Sequence, residues 1–145
     1  MGTDQHFFAV WEGWGGLHPG AHSLHAFRGE GTEEVPTDFV PAEWQLDLSA
    51  PTFSLPGRTY LLFAGPVHEA TRTGHWVTAD WFDPQSPSIF WPADHAWCVS
   101  TEIDYDSTLV GGTSELIAEI LNAPGLEAWP IDPDAPRTDV LNDPP

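Results

Sequence analysis

The sequence predicts an α+β fold: a single domain with an antiparallel or mixed sheet and one main C-terminal helix packed on a face. Three observations lead to it. The chain has 145 residues and 41% hydrophobic content, with 8 Trp and 8 Phe, which suits one domain with a packed core. Short aromatic and β-branched runs outnumber helical ones, and the two do not alternate regularly. One stretch, "GGTSELIAEILNAPG", carries clear helical periodicity.

The elements follow in chain order. "HFFAVWEG" (6–13) reads as a strand ended by the glycines of "GWGG", and "AHSLHAF" (21–27) as a weaker strand that would pair with it. Residues 28–58 hold Pro36, Pro41, Pro51 and Pro56 among several acids and are expected to be largely irregular, pinned by Phe39, Trp44 and Phe53. "TYLLFAGP" (59–66) is a continuous apolar run, the pattern of a central strand buried on both sides. Pro66 suits the first turn of a short helix, "PVHEATR", stopped by Gly74. "HWVTADWF" (75–82) reads as one more strand, after which Pro84, Pro87 and Pro92 predict a stiffened loop carrying Ile89, Phe90 and Trp91.

"WCVSTEIDYD" (97–106) alternates. Trp97, Val99, Thr101, Ile103 and Tyr105 share one parity, and Cys98, Ser100, Glu102, Asp104 and Asp106 the other, so a strand through them has an acidic row on one face. In the helix, Leu116, Ile117, Ile120 and Leu121 share one face and Glu115 and Glu119 another. Thr113 or Ser114 supplies the cap, and Pro124-Gly125 the stop. "LEAWPI" (126–131) suits a last edge strand, which would close a domain of residues 1–131 before a flexible Pro/Asp-rich tail, 132–145.

Charge is the outlying property. Asp and Glu number 22 against 4 arginines (Arg28, Arg58, Arg72, Arg137) and no lysine, for a net charge of −18. Absence of lysine excludes Schiff-base and P-loop lysine chemistry. No Arg or Lys lies between Thr73 and Pro136. Such a surface repels phosphates, which argues against direct nucleic-acid binding, and attracts cationic partners. The same charge also serves solubility. One cysteine, Cys98, allows no intramolecular disulfide. The first residues carry no positively charged n-region and no run reaches membrane-spanning length, so a cytoplasmic protein away from membranes is expected.

The segment with Trp91, Pro92, Asp94, Trp97, Cys98, Val99, Thr101, Glu102, Ile103, Asp104, Val110, Gly111 and Gly112 resembles a group of short actinobacterial proteins with no established function. The group shares a Trp-Pro-x-Asp-x-x-Trp-Cys-Val run, then Thr-Glu-Ile-Asp and Val-Gly-Gly. The likeness extends to "VWEGWGG" and "YLLFAGP" and is weak in 28–58 and in the tail. It implies no activity. Size and acidity are similar to those of bacterial immunity proteins.

Several constellations are candidate sites. Glu102, Asp104 and Asp106, with Asp94 added from a loop, have the oxygen chemistry that hard cations require, and His95 beside them would be a general base in a metal-dependent hydrolase. The same carboxylates, if solvated, need no ion; if docked, they suit a basic partner. The aromatic group Trp11, Trp14, Trp81, Phe82, Phe90, Trp91 and Trp97 supplies core, interface anchors or a small-molecule pocket. Cys98 sits among negative charges that disfavour its thiolate. His18, His22 and His25 match no strong zinc spacing, and Gly111-Gly112 lacks a phosphate-loop pattern. The expectation is a partner-binding protein with no cofactor, using Trp81, Asp83, Phe90, Trp91, Asp94, Glu102, Asp104 and Asp106 against a basic protein such as a toxin or nuclease.

Overall fold

A computed structural model describes residues 4–14, 47–78 and 81–134, with backbone alone for 75–78 and 81–83. It is an α+β domain: one antiparallel six-stranded sheet, a separate two-stranded hairpin and a helix packed on the sheet. The strands are β1 (His6–Trp11), β2 (Thr52–Leu55), β3 (Arg58–Gly65), β4 (Gly74–Thr78), β5 (Trp81–Pro84), β6 (Ile89–Pro92), β7 (Trp97–Thr101) and β8 (Thr108–Gly112), followed by α1 (Ser114–Leu121). The sheet order is β2-β3-β1-β6-β7-β8, and β4-β5 stand apart. Among the described residues no helix is long and apolar enough to cross a membrane.

The aromatic and aliphatic runs became the middle of the sheet because both their faces can be buried. Among the described residues, Phe8, Ala9 and Val10 of β1 and Tyr60 and Leu61 of β3 are the buried hydrophobic ones, and they alternate between the two faces. Val10 pairs with Leu61, and Trp14, Ala50 and Phe63 pack against that pair. At the β2–β3 turn Pro56 and Gly57 occupy the two central positions, and Gly57 has φ +86°. Pro before a residue of positive φ is the type II combination, which only Gly accepts without strain.

One face carries the helix. The register places His6, Phe8 and Val10 there beside Leu61, Phe63, Phe90, Pro92, Trp97 and Val99. Thr113 caps α1, its hydroxyl oxygen accepting the Leu116 amide at 3.3 Å. α1 returns onto the end of β8, where a Cβ on Gly112 would lie 2.7 Å from Leu116 Cδ2. Glycine thus lets the helix approach the strand. Leu116, Ile117 and Ile120 are half-buried, whereas Leu121 is 38% exposed.

The opposite face is concave. Phe53 lies on β2 and Trp91 on β6, three strand positions apart, or about 14 Å on a flat sheet. Their ring centroids are 6.4 Å apart, edge to face, so the sheet curls toward this side.

Three expectations are corrected. Residues 75–82 are not one strand: β4 and β5 form a hairpin, with a register shift between Trp76 and Thr78. The stretch expected to be an aromatic loop is two strands joined by a short link. Pro84 and Pro92 fall at strand ends, where a missing N–H costs least, and Ile89, Phe90 and Trp91 pair with β1. Of 28–58, expected to be largely irregular, only 47–58 are described; they hold β2 and the start of β3, joined by the Pro-Gly turn. Residues 126–131 form no strand, since Trp129-Pro130 lacks a donor where pairing would continue. Residues 21–27, the tail from 135 onward and the histidines at 18, 22 and 25 lie outside the described residues.

Candidate functional site

The acidic row is not a strand face. β7 ends at Thr101, and residues 102–107 form the connection to β8. Alternation continued in the sequence, but the Tyr105 amide bonds the Glu102 carbonyl at 3.1 Å, which folds 102–105 into a turn. The Ile103 amide donates to Glu102 Oε1 at 2.9 Å. A turn replaces the ladder because Asp is a poor strand residue and a good turn residue.

One arginine holds this connection. Arg58 opens β3 directly after the Pro56-Gly57 turn, and the register points it into the concave face with Tyr60 and Trp11. Its guanidinium carbon sits 4.0 Å from the Trp11 ring centroid. Its Nη2 lies 2.6 Å from Glu102 Oε1 and 3.0 Å from Asp104 Oδ2. The Arg58 side chain is 19% exposed and Glu102 27%, but Asp104 is 72% exposed. The Glu102 bond is therefore the stronger contact, with Asp104 screened by water.

Around Arg58 the rings pack edge to face and in stacks. Phe53 stacks on Tyr60 at 5.5 Å and Phe7 on Trp91 at 5.7 Å. Burial first, then the negative Glu102, push the Tyr60 hydroxyl above the ordinary tyrosine range, while Arg58 pulls it back. Tyr60 is thus a neutral phenol at physiological pH. Burial likewise raises the Cys98 thiol, which fits a packing residue and not a nucleophile.

Beyond the Arg58 clamp the connection is open. Ile103 is 58% exposed and Tyr105 38%, and they interleave with the exposed Asp104 and Asp106. Leu109, at the start of β8, is also exposed. Large apolar side chains set among carboxylates on an anchored turn have the make-up of an interface: anchors that a partner can cover, with a charged rim.

The other expected site residues divide. Trp91 lies on the concave face in the ring stack, and its chain neighbour Phe90 points to the helix face, 5.6 Å from Trp97. The two cannot act as one surface, because successive strand residues face opposite ways. Asp94 is exposed in the β6–β7 turn, where its carboxylate accepts the Ala96 amide at 3.0 Å and the next residue, His95, has φ +58°. That turn stands at the far end of β7 from Glu102, with about 17 Å of strand between them. Asp94 and His95 are therefore not gathered with Glu102, Asp104 and Asp106. Among the described residues no group of three or more His, Cys, Asp or Glu is placed to hold a metal ion. Trp81 and Asp83 lie on β5, with backbone alone described.

Sequence reasoning missed Arg58, Trp11 and Tyr60 as one unit. Only the β1–β3 register unites them, and it joins residues nearly fifty positions apart. Comparisons with protein-family models, with curated proteins and with solved structures gave no match.

Proposed function

We propose that this chain is a non-enzymatic binding protein that docks a basic protein on its β7–β8 connection. The carrying observation is the Ile103-Asp104-Tyr105-Asp106 surface: two exposed apolar anchors between exposed carboxylates, on a turn tied down by Arg58. Binding there needs little ordering, because the turn is already closed by its own hydrogen bonds.

The field of the chain supports the same reading. The segment from Thr73 to Pro136 contains no Arg or Lys of its own, and although Arg58 reaches Glu102 and Asp104 the net charge of −18 still attracts a cation at long range and speeds encounter. A toxin or nuclease with a basic surface has the right chemistry, in the manner of an immunity protein, and a reducing cytoplasm suits the lone Cys98.

The test is capture from native extract at low salt by immobilised wild type and by an Ile103→Asp, Tyr105→Ala variant. Both residues are exposed, so the variant is expected to fold. A cationic protein retained by the wild type, released by salt and missed by the variant is the expected result. Capture of no cationic protein, or equal capture by both forms, would defeat the reading.

A further inference from the structure

We infer that the outer edge of β8 is a strand-addition site for an extended basic segment of the partner. This rests on the basic-partner reading and adds the mode of binding. β8 is last in the sheet order and pairs only with β7, in unbroken register from Thr101↔Thr108 to Trp97↔Gly112. Among the described residues, the far side of β8 forms no backbone hydrogen bond with another segment. Such an edge presents N–H and C=O groups ready to pair.

The two edges of the sheet differ. β2, at the opposite end, has four residues bracketed by Pro51 and Pro56, the usual guard against pairing. β8 reads Thr-Leu-Val-Gly-Gly, with no proline, charge or bulge within it. It also continues directly from the connection that carries Ile103 and Tyr105, so one extended guest can contact both.

Side chains and charge specify the guest. Leu109 and Gly111 share the concave face, and a Cβ at Gly111 would meet nothing within 4 Å. Leu116 roofs the other face at Gly112. The guest's bulky apolar residues therefore belong on the concave side. Exposed Asp106 lies two residues before β8 and exposed Glu115 three after it. The five residues of β8 span about 17 Å, so a complementary guest carries Arg or Lys near both ends of that length. A second copy is the wrong occupant: antiparallel β8 to β8 pairing would bring Asp106 toward Glu115 of the other copy, between chains of net charge −18.

The test titrates the full chain at low salt with an acetylated, amidated peptide, Arg-Val-Thr-Leu-Thr-Val-Arg, whose arginines stand about 20 Å apart when extended. Two further forms carry backbone N-methyl groups on odd or on even residues, so charge and side chains are kept while one set of ladder donors is lost. The unmethylated peptide should bind and slow amide exchange at Thr108–Gly112. One methylated form should bind about tenfold or more weakly, the effect of losing two or so hydrogen bonds. A Leu109→Lys variant, at an exposed position, should also lose affinity.

Equal binding of all three peptides overturns strand addition and leaves the basic-partner reading standing. Absence of peptide binding while the low-salt capture still retains a cationic protein does the same. Concentration-dependent dimerisation that protects β8 without any peptide also overturns the proposal, by naming a second copy as the occupant.

Discussion

Replacing Arg58 by Met removes the charge that anchors the β7–β8 connection while keeping an unbranched stem over Trp11. The magnitude follows contact by contact. The charge-assisted bond to the half-buried Glu102, 2.6 Å long, contributes about 1.5–3 kcal/mol. The bond to Asp104, whose side chain is 72% exposed, contributes about 0–1 kcal/mol. The cation over Trp11 contributes about 1 kcal/mol, much of which a methionine sulfur against the same ring restores. The expected loss is therefore about 2–3 kcal/mol, a fall in Tm of about 4–12 °C for a chain of this size. Urea unfolding measures it, and a double-mutant cycle with Glu102→Gln isolates the pair, with an expected coupling of about 1–2 kcal/mol. Asp104→Asn should cost less than about 0.5 kcal/mol. A loss below about 0.5 kcal/mol for Arg58→Met, or coupling indistinguishable from zero, would refute the anchoring of the connection.

Two other outcomes follow from the same geometry. Tyr60 has a raised folded-state value, so as pH rises its unfolded form ionises first. Its contribution is full below about pH 10 and is lost above it, up to the folded value. Wild type should therefore lose stability more steeply than Tyr60→Phe as pH rises above about 10, and equal slopes would contradict the burial of the hydroxyl. The paired glycines should also separate. Gly112→Ala forces a methyl to 2.7 Å from Leu116 Cδ2 and should cost about 1 kcal/mol, whereas Gly111→Ala, in open space, should be neutral or slightly stabilising. Similar effects at both positions would count against the packing of α1 on β8.

The strands that carry their own pattern were legible in the sequence. "HFFAVW" and "YLLFAG" are apolar on both faces, and they are the buried centre of the sheet. The helix at 114–121 showed in its cap and its aliphatic face. Residues 102–106 misled because alternation is a property of spacing alone, while a turn depends on whether the backbone finds a partner strand. Nothing in "EIDYD" says that pairing stops at Thr101. Residues 81–92 misled in the opposite sense: prolines that punctuate a loop also sit at the ends of short strands, as Pro84 and Pro92 do. The acids of the candidate site were visible in sequence, but their anchor was not. Arg58 meets Glu102 only because the sheet curls, and curvature is the sum of packing across four strands.

The central question is whether a cationic partner binds at the β7–β8 connection. Calorimetric titration of the captured partner into wild type and into Ile103→Asp, Tyr105→Ala, each at two salt concentrations, tests this most directly. The prediction is an affinity that falls with salt in the wild type and is at least about tenfold weaker in the variant, the scale of losing two interface anchors. Affinity unchanged by the substitutions, or insensitive to salt, would contradict it.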